Sequence, residues 1–148
     1  MKIKSGFKFV MVIAIMVFMA TGIQATALAA EAKGAKLPAD GGEPGKAYMA
    51  FIKAVRDKDF AGVRKWHSGA ANEPADSEIA KGIEFMSDTA DKNTKISGGY
   101  ATADLATLYV SFVANKEKQY GEIEMIRSKN GVWQVGQQSW SNTPPGKK

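Results

Sequence analysis

The chain has no cysteine and a single histidine, His67, in 148 residues. The lack of thiols excludes a disulfide framework, a thiolate zinc site, an iron–sulfur centre and a cysteine nucleophile. One imidazole excludes every metal site that needs two or more, and no metal or cofactor is expected. The first 29 residues contain no acid, only Lys2, Lys4 and Lys8. Without those three lysines, 17 basic residues face 15 acidic ones, and the formal charge falls from +5 to +2. That surplus is spread along the chain and forms no basic stripe, so no nucleic-acid partner is expected. Lys116, Lys118 and Lys129 read as solvated turn charges. Ser68, Ser111 and Ser139 lack a Gly-x-Ser-x-Gly frame, and no glycine run leads into the Lys-Ser/Thr of a phosphate loop. There is no internal repeat, and the length fits one ordinary domain.

What is present first is an N-terminal address. Residues 1–8 are positive and residues 9–20 (FVMVIAIMVFMA) are unbroken apolar. Residues 21–29 turn smaller and more polar and end in Ala27-Leu28-Ala29. This is the order of a cleaved signal peptide, with the cut expected after Ala29 and with Ala27 or Ala30 as neighbouring sites. The rival reading is an uncleaved anchor, because residues 9–30 carry no charge. Thr21, Gly22, Gln24 and Thr26 weaken the far end of that span, and no lipid-bearing cysteine comes after it. The expectation is an exported protein, periplasmic or secreted. It would be soluble after cleavage and touch the membrane only through its signal.

The expected organisation is a signal at 1–29, a flexible lead-in at 30–43, one α+β domain at 44–141 and a loose tail at 142–148. Tyr48, Phe51, Ile52 and Val55 recur at i, i+3, i+4, i+7, one face of a helix opened by Pro44. Asp59 can cap a second short helix carrying Phe60, Val63 and Trp66. After a loop at 68–74, Asp76 or Ser77 can cap a third, with Ile79, Ile83, Met86 and Phe85 as its buried stripe. Asp88 and Asp91, three apart near its end, read as paired carboxylates or as solvated charges.

From Thr94 the period changes from 3.6 to 2. A short strand is expected at 94–97, closed by Gly98-Gly99, and a long one at 100–114. Polar residues 115–118 make a turn, 119–128 a strand, Lys129-Asn130-Gly131 a hairpin turn and 132–140 the last strand. Helices first and hairpin-linked strands second argue α+β, with helices packed on one face of an antiparallel sheet.

This order resembles the nuclear transport factor 2-like superfamily, and within it the small exported bacterial branches of unknown function. The resemblance covers roughly residues 44–140. It rests on residues 47–60 (AYMAFIKAVRDKDF), on Ser97-Gly98-Gly99-Tyr100-Ala101 opening residues 96–110, and on residues 120–135 (YGEIEMIRSKNGVWQV). It implies a cone of helices closed by a curved sheet, a pocket between them, and dimers through the open sheet. The superfamily holds isomerases, dehydratases, cyclases, ligand binders and interaction domains, and fold does not choose among them.

Two residues are candidate general bases in such a pocket. His67, after Trp66, is near neutral pH a usable base or else a helix-end cap. Asp104 interrupts the apolar pattern of the long strand and is either a buried base or a turn-bonded acid. Tyr48, Trp66, Tyr109 and Trp133 have the apolar bodies and polar tips that suit a small apolar or aromatic ligand, or they belong to the core. Glu122 and Glu124 share a strand face and read as solvent-side charges. The long strand is apolar on both faces: Leu108, Val110 and Phe112 on one, Leu105, Tyr109 and Val113 on the other. Val132 and Trp140 are expected opposite Trp133 and Val135. An apolar outer face predicts a homodimer through the sheet. The functional expectation is a ligand-binding or protein-interaction module of the cell envelope. The alternative is an isomerase or dehydratase-like enzyme using His67 or Asp104.

Overall fold

A computed structural model describes residues 34–72, 75–87, 90 and 93–145. The expected export signal, Pro74, Asp88, Asp91 and residues 146–148 lie outside the described residues. Among the described residues no helix is long and apolar enough to cross a membrane.

The first helix, α1 (Gly42–Asp57), begins where Asp40 Oδ1 accepts the Gly42 N–H at 3.0 Å. Pro44 lies in its first turn, where a missing N–H breaks no helical bond. Tyr48, Phe51, Ile52 and Val55 are all buried, as their spacing predicts. Lys58 ends the helix in the left-handed region at φ 53 and donates its N–H to the Ala54 and Val55 carbonyls. Helix α2 (Phe60–Trp66) is capped by Asp59, whose Oδ1 accepts the Gly62 N–H at 3.0 Å. Helix α3 (Asp76–Met86) differs from expectation at its start. Ala75 holds the cap position, while Asp76 sits in the first turn and pairs with Arg64. Phe85 also departs from the expected stripe: it is 51% exposed, because α3 turns only Ile79 and Ile83 fully inward.

The five strands are β1 (Ala35–Leu37), β2 (Lys95–Ala101), β3 (Leu105–Ala114), β4 (Glu117–Arg127) and β5 (Trp133–Ser141). They form one antiparallel sheet in the order β1-β2-β3-β4-β5. The described residues are thus α+β, with three α-helices and an open sheet. Two strand boundaries correct the sequence reading. Residues 35–37, expected as flexible lead-in, pair with β2 as an edge strand. Gly98-Gly99, expected to close a strand, lies inside β2, and the turn comes instead at 102–104. The reason is a bulge: the register slips between Ile96 and Gly99, so Ser97 and Gly98 both oppose Tyr109. Gly99 has φ 150, and a Cβ there would lie 1.9 Å from the Thr107 carbonyl oxygen, a place only glycine can occupy.

The β3–β4 turn is tighter than expected, with Asn115 and Lys116 both at positive φ (51 and 67). That is the pattern of a two-residue hairpin turn. In the last hairpin Gly131 takes the positive φ, at 78, and Asn130 does not. A second bulge lies in β5, where Gly136 and Gln137 together oppose Glu124. It reverses the side-chain parity of the rest of the strand. Trp140 therefore joins Trp133 and Val135 on one face, contrary to the strict alternation expected. Trp140 packs edge-on against Phe112 at 4.9 Å, over Gly121, where an added Cβ would meet the indole at 2.6 Å.

The core lies between the helices and this inner face. Tyr48, Phe51, Ile52, Val55 and Val63 from the helices meet Leu108, Val110, Ile123, Met125 and Val135 from the sheet.

Candidate functional site

The space between helices and sheet is filled by side chains at its centre. Tyr48, Leu108, Ile123, Met125 and Val135 are each 0% exposed. Burial pushes the Tyr48 phenol well above its ordinary range. Its hydroxyl has no hydrogen-bond partner among the described residues, and neither does that of Thr94. Tyr48 is therefore a core residue that leaves a polar atom unpaired, a costly arrangement for a buried hydroxyl.

His67 is held from several sides. Its ring packs on Phe51 with centroids 5.5 Å apart. Nδ1 accepts the N–H groups of Gly69 (3.1 Å) and Ala70 (3.4 Å), which open a 3₁₀ turn, η1 (Ala70–Asn72). An Nδ1 that accepts leaves the ring proton on Nε2. Burial lowers the imidazole to about 4, so it is neutral at pH 7. The backbone N–H of His67 closes α2 onto the Val63 carbonyl at 3.0 Å. His67 also forms a parallel bridge to Val135. Ser68 donates its N–H (2.9 Å) and its hydroxyl (3.1 Å) to the Val135 carbonyl. Gln134 Nε2 donates to the Lys65 carbonyl at 2.9 Å. The helix-end reading of His67 thus describes its bonds, but the ring is far less open to solvent than a surface cap.

The remaining residues singled out by sequence do not converge. Asp104 is exposed in the β2–β3 turn, and its carbonyl accepts the Arg127 N–H at 2.8 Å. The turn comes at 102–104, later than the Gly98-Gly99 break expected from the sequence, so Asp104 is the turn acid of the two readings and not a buried base. Trp66 and Trp133 are partly buried against the core. Lys65 Nζ lies 4.4 Å over the Trp66 ring and Arg127 lies 5.8 Å over Trp133. Tyr109 sits on the outer face of β3, so it and Tyr48 stand on opposite sides of the sheet. These two cannot line one pocket.

The outer face can be read row by row from the strand register. One row runs Lys36, Tyr100, Thr107, Glu124; the next is Tyr109, Glu122, Ser139. Beyond these come Lys95, Ser111, Tyr120, Ser141 and, at the other end, Leu105, Ile126, Gln134. Leu105 and Val113 are 51% and 49% exposed. Tyr100 and Tyr109 meet edge-on at 6.3 Å. Partial burial raises the Tyr109 phenol, helped by Glu122 and Tyr100. Tyr120 lies under Lys118 at 5.2 Å. Lys118 is therefore a strand residue, not a turn charge. Sequence reasoning missed Tyr100 as an outer-face residue because it merged β2 with β3. The three-residue break at 102–104 was the available signal.

A separate open groove of about 1040 Å³ lies where α1 ends. Val55, Phe60, Ala80, Ile83 and Ala90 line it, with Arg56 and Lys58 from one segment and Glu84 from another. None of Tyr48, Trp66, Tyr109 and Trp133 borders it. Among the described residues no group of three or more His, Asp or Glu side chains is placed to hold a metal ion. Comparison with known families, curated proteins and solved structures finds no match to this chain.

Proposed function

We propose that this chain is an exported, non-catalytic interaction module of the nuclear transport factor 2-like type, which works through the outer face of its sheet and pairs there with a second copy of itself. The observation that carries this reading is the composition of that face. Leu105, Tyr109, Val113 and Ile126 stand where a solvated sheet would alternate to polar residues, and no helix packs over them among the described residues. Charge favours a copy of the same chain as partner. Lys36 and Lys95 lie on the β1–β2 side of β3, and Glu122 and Glu124 lie on the β4 side. A two-fold axis along β3 sets each cation side over the carboxylate side of the other copy, which is the self-complementarity that a two-fold interface needs. Lys118, at the turn end of β4, stands outside this division.

The enzymatic alternative draws little support from the geometry. His67 spends Nδ1 on two backbone donors, and Asp104 is remote from the core. A general base needs a second group to orient it and a third to stabilise developing charge. The groove at the end of α1 favours one further reading, a small apolar or aromatic ligand seated on Val55, Phe60 and Ile83. A raised thermal midpoint with added metabolite pools would support it.

Light scattering at about 10 μM, near a typical transient-interface Kd, tests the main proposal. The expected mass is that of two chains, reduced to one by Tyr109→Lys. A monomer at that concentration, unchanged by the substitution, overturns it.

A further inference from the structure

We propose that His67 is a proton-operated latch: the neutral imidazole pins the corner between α2 and η1 onto β5, and a proton on Nδ1 releases that corner and uncovers the edge of β5 at Val135. The geometry makes Nδ1 the joint of the corner. It is the acceptor for both N–H groups that open η1, Gly69 at 3.1 Å and Ala70 at 3.4 Å. A protonated ring is a donor at both nitrogens. The two N–H groups then face another N–H and lose their acceptor, while a new charge lies against the Phe51 ring 5.5 Å away. Charge without a partner in an apolar place is strongly disfavoured.

Among the described residues no carboxylate faces the ring to offset that charge. Strand β5 (WQVGQQSWS) and η1 (AAN) carry no titratable side chain. The charged residues of α1 are Glu43, Lys46, Lys53, Arg56 and Asp57, all exposed, and its Tyr48 is buried and neutral. Those of α2 are the cations Arg64 and Lys65. The acids of α3 are Asp76 and Glu78, already paired with Arg64 and Lys81, and Glu84, which borders the groove at the end of α1. Burial is the sole cause of the lowered imidazole, at about 4 against an ordinary 6.5. The released corner therefore binds more protons than the closed one between those values, and acid favours release. The closed corner has its full advantage above pH 6.5 and loses it as pH falls toward 4.

Release has a defined consequence. The Val135 carbonyl, which points away from β4, now accepts the Ser68 N–H and hydroxyl. Freed of them, β5 presents an unpaired edge, the part of a sheet most ready to take another strand.

Amide exchange on the full chain, followed by NMR from pH 7 to pH 4.5, tests the latch. Protection of Ser68 and Ala71, corrected for intrinsic rates, should fall on the order of 50-fold, about one decade per pH unit below 6.5. Amides of Leu108 and Ile123 should hold theirs. In His67→Asn, whose side chain keeps an acceptor and does not titrate, protection at Ser68 should stay flat. Wild-type protection that is flat over this range, or an imidazole titrating near 6.5, overturns the proposal. So does parallel loss of protection in His67→Asn. Should that variant fail to fold, the wild-type pH profile of Ser68 and the ring titration decide by themselves.

Discussion

The two faces of β3 and β4 alternate residue by residue along the same strands, yet they end in different environments. Inward, Leu108, Val110, Ile123 and Met125 are sealed under α1 and α2 at 0 or 1% exposure. Outward, Leu105, Tyr109, Val113 and Ile126 share a surface with Lys95, Glu122 and Glu124. Hydropathy along β3 scarcely distinguishes the two sets. What distinguishes them is whether a helix stripe faces them. An apolar side chain contributes to stability only through the water it sheds. The inner set sheds it within the chain, and the outer set needs a second body.

The sharpest way to break this comparison is to shorten one side chain on each face. Leu108→Ala should cost about 2–5 kcal/mol in a urea melt, because it removes fully buried methyl groups and leaves a cavity. A loss under about 1 kcal/mol would mean that the inner face is not the core. Tyr48→Phe probes the same layer with the opposite sign. Its hydroxyl is buried without a partner among the described residues. Removing it should leave stability unchanged or raise it by up to about 1 kcal/mol. A clear loss would show that the hydroxyl is bonded in solution. The smallest effect is expected outside: Leu105→Ala should move the monomer's stability by less than about 0.5 kcal/mol. The same substitution should still weaken self-association in light scattering. Should it instead destabilise the monomer as Leu108→Ala does, the outer face would be covered by the chain itself.

His67 sharpens the comparison from another direction. Read by sequence, it is a polar residue at a helix end, for which a mild effect of His67→Ala is expected. In the structure it is the contact between α2, η1, α1 and β5, and its loss removes an acceptor from two backbone donors at once. Trp66 and Trp133, by contrast, are only partly buried. The cost of truncating them is correspondingly below that of a sealed core residue.

From α1 onward the order of α-helices and strands was legible in the sequence, and so was the reason for most of them. Tyr48, Phe51, Ile52 and Val55 mark the buried stripe of α1, Asp59 caps α2 as its short side chain allows, and the change of period near Thr94 marks the switch from helix to sheet. These depend on interactions within a few residues, which a local pattern records. Tertiary structure alone decided the bulge at Ser97-Gly98 and the bulge at Gly136-Gln137. It likewise decided the side on which Trp140 falls, the pairing of β1, and the partial burial of the His67 ring. Each depends on a partner distant in the chain. The Thr107 carbonyl fixes what can stand at Gly99, and the Val135 carbonyl holds Ser68. A one-residue slip in a strand reverses every later side chain, and its cause lies in the neighbouring strand rather than in the strand's own residues.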